Sequence, residues 1–212
     1  MNVFYTIIDA RCEKQLAGVT LAQVPPTYRV RLERMRSTAA RARTQAGLWL
    51  LGHGLQALDH DPGAVDRIGP DNHGRPTIAG APAFNISHSG NLVACALATD
   101  DQAIGLDVEA LRPQAPARLT RLLSAQEQAA IIHVPQRFFD FWCAREATVK
   151  ASGRVGLARI RALALHGDHA RLDGHDWPLH ALELGPGYAG CLASDGPITD
   201  VTLQACTIPA HD

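Results

Sequence analysis

The chain has 212 residues, 46% of them hydrophobic and 19% charged, proportions of an ordinary folded protein with ample length for a core. Twenty Lys and Arg against 21 Asp and Glu leave a net charge of −1, which excludes a global pull toward nucleic acid or a membrane surface. Cys12, Cys95, Cys143, Cys191 and Cys206 never form CxxC, no apolar run reaches ~18 residues, and "MNVFYTIIDARCEK" has no basic leader, so the expectation is a cytoplasmic protein with reduced thiols, no zinc ribbon and no membrane span.

In chain order, "VFYTII" (3–8) reads as a short strand. The stretch 25–58 reads as helical, with Leu48, Leu51, Leu55 and Leu58 at helical spacing. Its first part carries Arg29, Arg31, Arg34, Arg36, Arg41 and Arg43 with a single Glu. This basic patch suits a polyanionic ligand or an acidic partner, or it is a solvated helix face. Residues 59–83, rich in Gly, Pro and Asp, read as loops around a short extended piece.

"FNIS" and "NLVACALA" follow as strands, with His88-Ser89-Gly90 as a hairpin-like turn. The hydroxyls of Ser87 and Ser89, the His88 imidazole and exposed backbone N–H groups there would suit a phosphate, although a turn of this composition needs no ligand.

"IGLDVEAL" (104–111) is a strand in which Asp107 and Glu109 share one face, roughly 7 Å apart at Cα. Two acids inside an apolar run are either a solvated edge or half of a site for a hard cation such as Mg²⁺. Ser124 and Glu127 form an S-x-x-E capping box opening a helix toward His133. "QRFFDFWCAREATVKASG" is a further helix, with Gly153 as its stop. On it, Glu146 and Lys150 stand at i,i+4, a spacing that often only stabilises a helix surface, while Arg145 and Lys150 could hold phosphates.

"ARIRALALHG", "WPLHALEL", "GYAGCLAS" and "DVTLQACTI" read as four strands. His166, His169, His175 and His180 fall in expected turns without a carboxylate or cysteine pattern for zinc. Both halves then run helix first, strands after. The fold class is α+β, with two similar α+β lobes over 1–103 and 104–212.

Taken together, "GRP" (74–76), "FNISHSG" (84–90), "IGLDVE" (104–109) and "FWCAREATVKASG" (141–153) resemble, in this order, the signature blocks of the Sfp-type 4′-phosphopantetheinyl transferases. The family pattern runs G-K-P, F-N-[IL]-S-H-S, [IV]-G-[IV]-D-[IV]-E and W-[STC]-x-K-E-[AS]-x-x-K, and the resemblance covers roughly residues 29–157. It implies two α+β lobes with the active site between them. It also implies transfer of the phosphopantetheine arm of coenzyme A to a serine of an apo acyl- or peptidyl-carrier protein, releasing 3′,5′-ADP.

By the same resemblance, Asp107, Glu109 and Glu146 would bind Mg²⁺, Glu146 would be the general base, and Lys150 would steady the pyrophosphate. Ser87 and His88 would hold coenzyme A phosphates, and Arg43 and Thr44 would contact the nucleotide end. Arg75 stands where the family has the Lys of G-K-P, and Arg145 where it has the Lys of W-x-x-K-E, each keeping the positive charge for phosphate. Glu127 is read as a cap. A monomer is expected, with no nucleic-acid or membrane partner. Two other readings remain open from the residues: a non-catalytic module binding a nucleotide or an acidic protein, and a different Mg²⁺-dependent phosphodiester hydrolase.

Overall fold

The computed structural model describes residues 1–154 and 156–209. In chain order its elements are β1 (Asn2–Ile7), α1 (Ala10–Ala17), α2 (Pro26–Arg34), α3 (Thr38–Ala57), β2 (Gly69–Pro70), β3 (Pro76–Thr77), β4 (Phe84–Ser89) and β5 (Leu92–Leu97). There follow β6 (Ile104–Ala110), α4 (Ala117–Thr120), α5 (Ala125–His133), α6 (Arg137–Ala151), α7 (Leu157–Ala162), β7 (Ala164–His166), β8 (His169–Leu172), β9 (His175–Ala181), β10 (Tyr188–Ser194) and β11 (Thr202–Ala205). The architecture is α+β, as the pattern of the sequence implies. The chain divides into two compact units, one of Met1–Asp101 with the residues from Val201 onward, the other of Gln102–Asp200.

The first unit is a four-stranded sheet, β11-β1-β5-β4, crossed by α3. Ser37 starts α3 by accepting a hydrogen bond from the Ala40 amide, and Met35–Ser37 separates it from α2, which Pro26 opens. The helix lies close to the sheet because it offers glycine there. A Cβ on Gly47 would come within 2.8 Å of Ile86, and one on Gly54 within 2.6 Å of Leu97 and 2.9 Å of Phe4. Leu50, Leu51 and Leu55 fill the core between helix and strands.

The second unit is a five-stranded antiparallel sheet, β6-β10-β9-β8-β7, with α6 packed on β6 and β10. Its core gathers Phe138, Phe139 and Trp142 of α6 with Ala189, Cys191 and Ala193 of β10, small residues that let the helix settle onto the sheet. The Ser124–Glu127 capping box is present in both directions. Gly153, at φ +73°, follows the end of α6 as expected of a stop.

Several expectations need correction. Helix α1, capped by Asp9, was not foreseen. The stretch read as a strand at 158–167 is helix α7 up to Ala162 and then the short β7, and β8 is an additional strand. The turn expected at His88-Ser89-Gly90 is narrower: β4 runs through Ser89, and the reversal is made at Gly90, φ +57°. Each unit begins with a strand, not a helix. Strand β11 pairs in parallel with β1, Thr202 opposite Asn2, so this segment belongs to the first sheet although the sequence reading assigned it to the second lobe.

Candidate active site

Strand β6 resolves the question of the two acids. Gly105, Asp107 and Glu109 share one face by alternation, and Gly105 rests directly on α6. A Cβ on Gly105 would overlap the carbonyl of Ala147 and the amide nitrogen of Ala151. Asp107 and Glu109 therefore project toward the same side as α6. Asp107 is only 6% exposed, so the solvated-edge reading does not hold.

From α6, Lys150 Nζ donates to Asp107 Oδ1 at 2.7 Å and to the Leu106 carbonyl at 3.0 Å. The i,i+4 pair is thus not a mere surface staple, because its lysine reaches the strand while staying partly exposed. Glu146, half-buried one turn earlier, has its pKa raised, by burial first and then by the charge of Asp107, with Lys150 opposing and Glu109 adding. The Cys143 thiol is pushed well above its usual range by burial first, then by the charges of Asp107, Cys191 and Glu109, and by a hydrogen bond to Asp107. Glu146 accordingly feels the charges of Asp107, Glu109 and Lys150 together.

Asp107, Glu109 and Glu146 offer oxygen donors only, the kind a hard cation such as Mg²⁺ takes, commonly one or two carboxylates with water and substrate phosphates in the remaining positions. Among the described residues no group of three or more His, Cys, Asp or Glu is placed so that it could hold a metal ion. The histidines at 166–180 form none either: His166 stacks on His169 at 5.5 Å and His175 meets Trp177 at 4.8 Å.

Arg145 is not at this site. It is 1% exposed, and both terminal nitrogens of its guanidinium are taken inside the second unit: Nη1 donates to the carbonyls of Ile160 (2.6 Å) and Leu163 (2.8 Å), and Nη2 to both Glu127 oxygens (2.6 and 2.9 Å). Buried and bound in this way, Arg145 does not offer the phosphate contact expected of it. Glu127 does more than cap: its Oε2 accepts from both the Ser124 amide and Arg145.

In the first unit, Arg43, Thr44 and His88 meet around a cavity of about 160 Å³ that Tyr28 and Arg31 also line. Arg43 Nη1 reaches the Gly90 carbonyl at 3.4 Å, and Thr44 hydrogen-bonds the Ala40 carbonyl. Ser87 is not in this lining: it is buried on the other face of β4 from His88, so the two do not act side by side. Arg75 sits in a turn closed by Asp71, which accepts from the amides of His73 and Arg75; its neighbour Pro76, not Arg75, lines the cavity. Of the six arginines, Arg29 is tied to the Val24 and Ala22 carbonyls, and Arg31 lies over the Tyr28 ring.

A family model described as the 4′-phosphopantetheinyl transferase superfamily matches residues 103–183, the segment that holds β6 and α6. The chain is 28% identical over 194 residues to the 4′-phosphopantetheinyl transferase psf-1 of Bacillus pumilus, covering 84% of this chain and 82% of that protein. It is 31% identical over 148 residues to the 4′-phosphopantetheinyl transferase AcpT of Escherichia coli K12, covering 66% of this chain and 70% of that protein. The chain belongs to the 4′-phosphopantetheinyl transferase superfamily. With Sfp of Bacillus subtilis strain 168 it is 32% identical over 95 residues, 42% of either chain. As a phosphopantetheinyl transferase it acts on carrier proteins with coenzyme A as co-substrate. The binding-module and hydrolase readings gain no support.

Proposed function

We propose that this phosphopantetheinyl transferase uses Mg²⁺ held by Asp107, Glu109 and Glu146, with Glu146 as general base and Lys150 as the cation at the pyrophosphate. The reaction moves the 4′-phosphopantetheine arm of coenzyme A onto a serine of an apo carrier protein and releases 3′,5′-ADP. The serine hydroxyl attacks the phosphorus that bears the pantetheine, and the bridging pyrophosphate bond breaks toward 3′,5′-ADP. Glu146 accepts the hydroxyl proton, a task favoured by the burial that makes its carboxylate more basic than a free one. Lys150, anchored on β6, presents fixed positive charge to the transferring phosphoryl oxygens. Mg²⁺, when bound, supplies further positive charge at the same oxygens.

Arg43, Thr44 and His88 would receive the nucleotide end of coenzyme A. The remaining basic side chains of 29–43 suit acidic helices of an acyl or peptidyl carrier. What supports the reading is the close approach of Gly105 to α6, which puts the face of β6 that carries Asp107 and Glu109 on the side of that helix, where Lys150 meets Asp107. The test is mass spectrometry of a panel of apo carriers incubated with coenzyme A and Mg²⁺. At least one carrier gains a single phosphopantetheine arm with the wild type, and none does with Glu146→Gln or with EDTA. Transfer that persists undiminished in EDTA would overturn the Mg²⁺ assignment.

A further inference from the structure

The first unit contains a second, larger cavity of about 450 Å³, sharing only Leu48 with the cavity at His88. A stripe of α3 comprising Gln45, Leu48, Trp49, Gly52 and His53 lines it, and Val65 and Ile208 are among the residues that complete the wall. Its size falls in the range of about 300–1,000 Å³ typical of small-molecule sites.

Two features mark it as more than a packing gap. Gln45 is 5% exposed, and neither its Nε2 nor its Oε1 has a hydrogen-bond partner. Buried amides are nearly always paired, because an unpaired one keeps its desolvation cost with no return. Gly52 is the second. Gly47 and Gly54 of the same helix are forced by the sheet beneath them, but a Cβ on Gly52 would meet only Val65 at 3.6 Å and the Pro62 carbonyl at 3.7 Å, ordinary contacts. Glycine inside a helix is less stable than alanine, and packing does not require it here. What it does is keep the cavity wall open.

We propose that this cavity binds a small molecule with an apolar body and one secondary amide. The ligand's N–H donates to Gln45 Oε1 and its carbonyl accepts from Nε2. The body lies against Leu48, Val65 and Ile208, with Trp49 offering a ring face. The site recognises the amide because an isostere lacking the N–H leaves Oε1 unpaired.

The test is calorimetric titration of N-benzylhexanamide and of its isosteric ester, benzyl hexanoate, into the full chain, alone and with saturating coenzyme A. The amide binds saturably, roughly tenfold tighter than the ester, and coenzyme A does not displace it. Gln45→Leu removes the preference for the amide, and Gly52→Leu weakens both probes. The proposal is overturned if the amide does not saturate, if amide and ester bind the wild type equally, or if coenzyme A competes. The comparison of probes on the wild type stands even if a variant fails to fold.

Discussion

Arg145 and Glu127, 18 residues apart in sequence, form a buried ion pair with Nη2–Oε2 at 2.6 Å, side chains 1% and 7% exposed. The pair ties α5 to α6, and the other terminal nitrogen, Nη1, ties α6 to the carbonyls of Ile160 and Leu163 around α7. Three helices are thereby fixed by one side chain immediately preceding Glu146. Lysine cannot reproduce the arrangement, since its single ammonium lacks the planar fork.

The first prediction concerns that pair. Removing one partner from a buried pair leaves an uncompensated charge and costs about 3–5 kcal/mol. Glu127→Ala should lower the urea midpoint accordingly, and Arg145→Lys should recover only part of the wild-type stability. A variant that keeps full stability would mean the pair contributes little to holding these helices.

The second concerns glycines with opposite expectations. At Gly105 even a methyl group meets helix backbone, so Gly105→Ala should lower stability and reduce transfer together. At Gly52 the methyl has ordinary clearance, and Gly52→Ala should stabilise by about 0.5–1 kcal/mol. Thermal unfolding of the two variants side by side decides both.

The third concerns chemistry. Asp107→Asn leaves the size of the side chain but removes its charge toward Lys150. Carrier modification should fall by about 10²–10³, the usual effect of losing one preorganised group, with far-UV circular dichroism unchanged. Near-normal turnover would place the chemistry elsewhere.

The fourth concerns pH. Burial raises the pKa of Asp140, and Arg137 only partly opposes this. A carboxyl whose folded pKa lies above its unfolded value destabilises the fold when ionised. That cost is absent below the unfolded pKa and is complete once pH passes the folded one. Asp140→Asn should therefore raise the melting temperature at neutral pH, and the gain should vanish as pH falls through the carboxylate range.

The fifth concerns thiols. Burial pushes Cys191 to about 12 and holds Cys95 and Cys143 high as well, whereas Cys12 and Cys206 are only partly buried. Iodoacetamide should label no more than Cys12 and Cys206 in the native protein, with all five reacting after denaturation. Rapid native labelling of Cys143 would show that the β6–α6 contact opens readily.

What could be read from the sequence was local. The alternation of "IGLDVEAL" put Asp107 and Glu109 on one face, and Ser124 with Glu127 announced a helix start; both are present. What could not be read depended on partners far along the chain. Arg145 carries the charge a phosphate wants, and nothing nearby says that Glu127 and two carbonyls already take it. Ser87 and His88 are neighbours in sequence, but a strand sends them to opposite faces. The alternation in "ARIRALALHG" mimicked a strand because a helix as short as α7 shows less than two turns of its own period. Helix α1 did carry a signal, an Asp9 cap before an apolar Leu16, too brief to stand out.

Strand β11 has a consequence for how the protein is made. The first sheet is interrupted in sequence by the whole of the second unit, whose two ends are clasped where Ala103 and Asp195 exchange hydrogen bonds of 2.9 and 3.1 Å. A nascent chain emerging from the ribosome can complete the later unit while the earlier one still lacks an edge. That clasp then delivers Thr202–Ala205 near the departure point of the insertion, shortening the search for β1. Closure of the first sheet thus comes after synthesis of the whole second unit, and the flank of β1 awaits β11 until then.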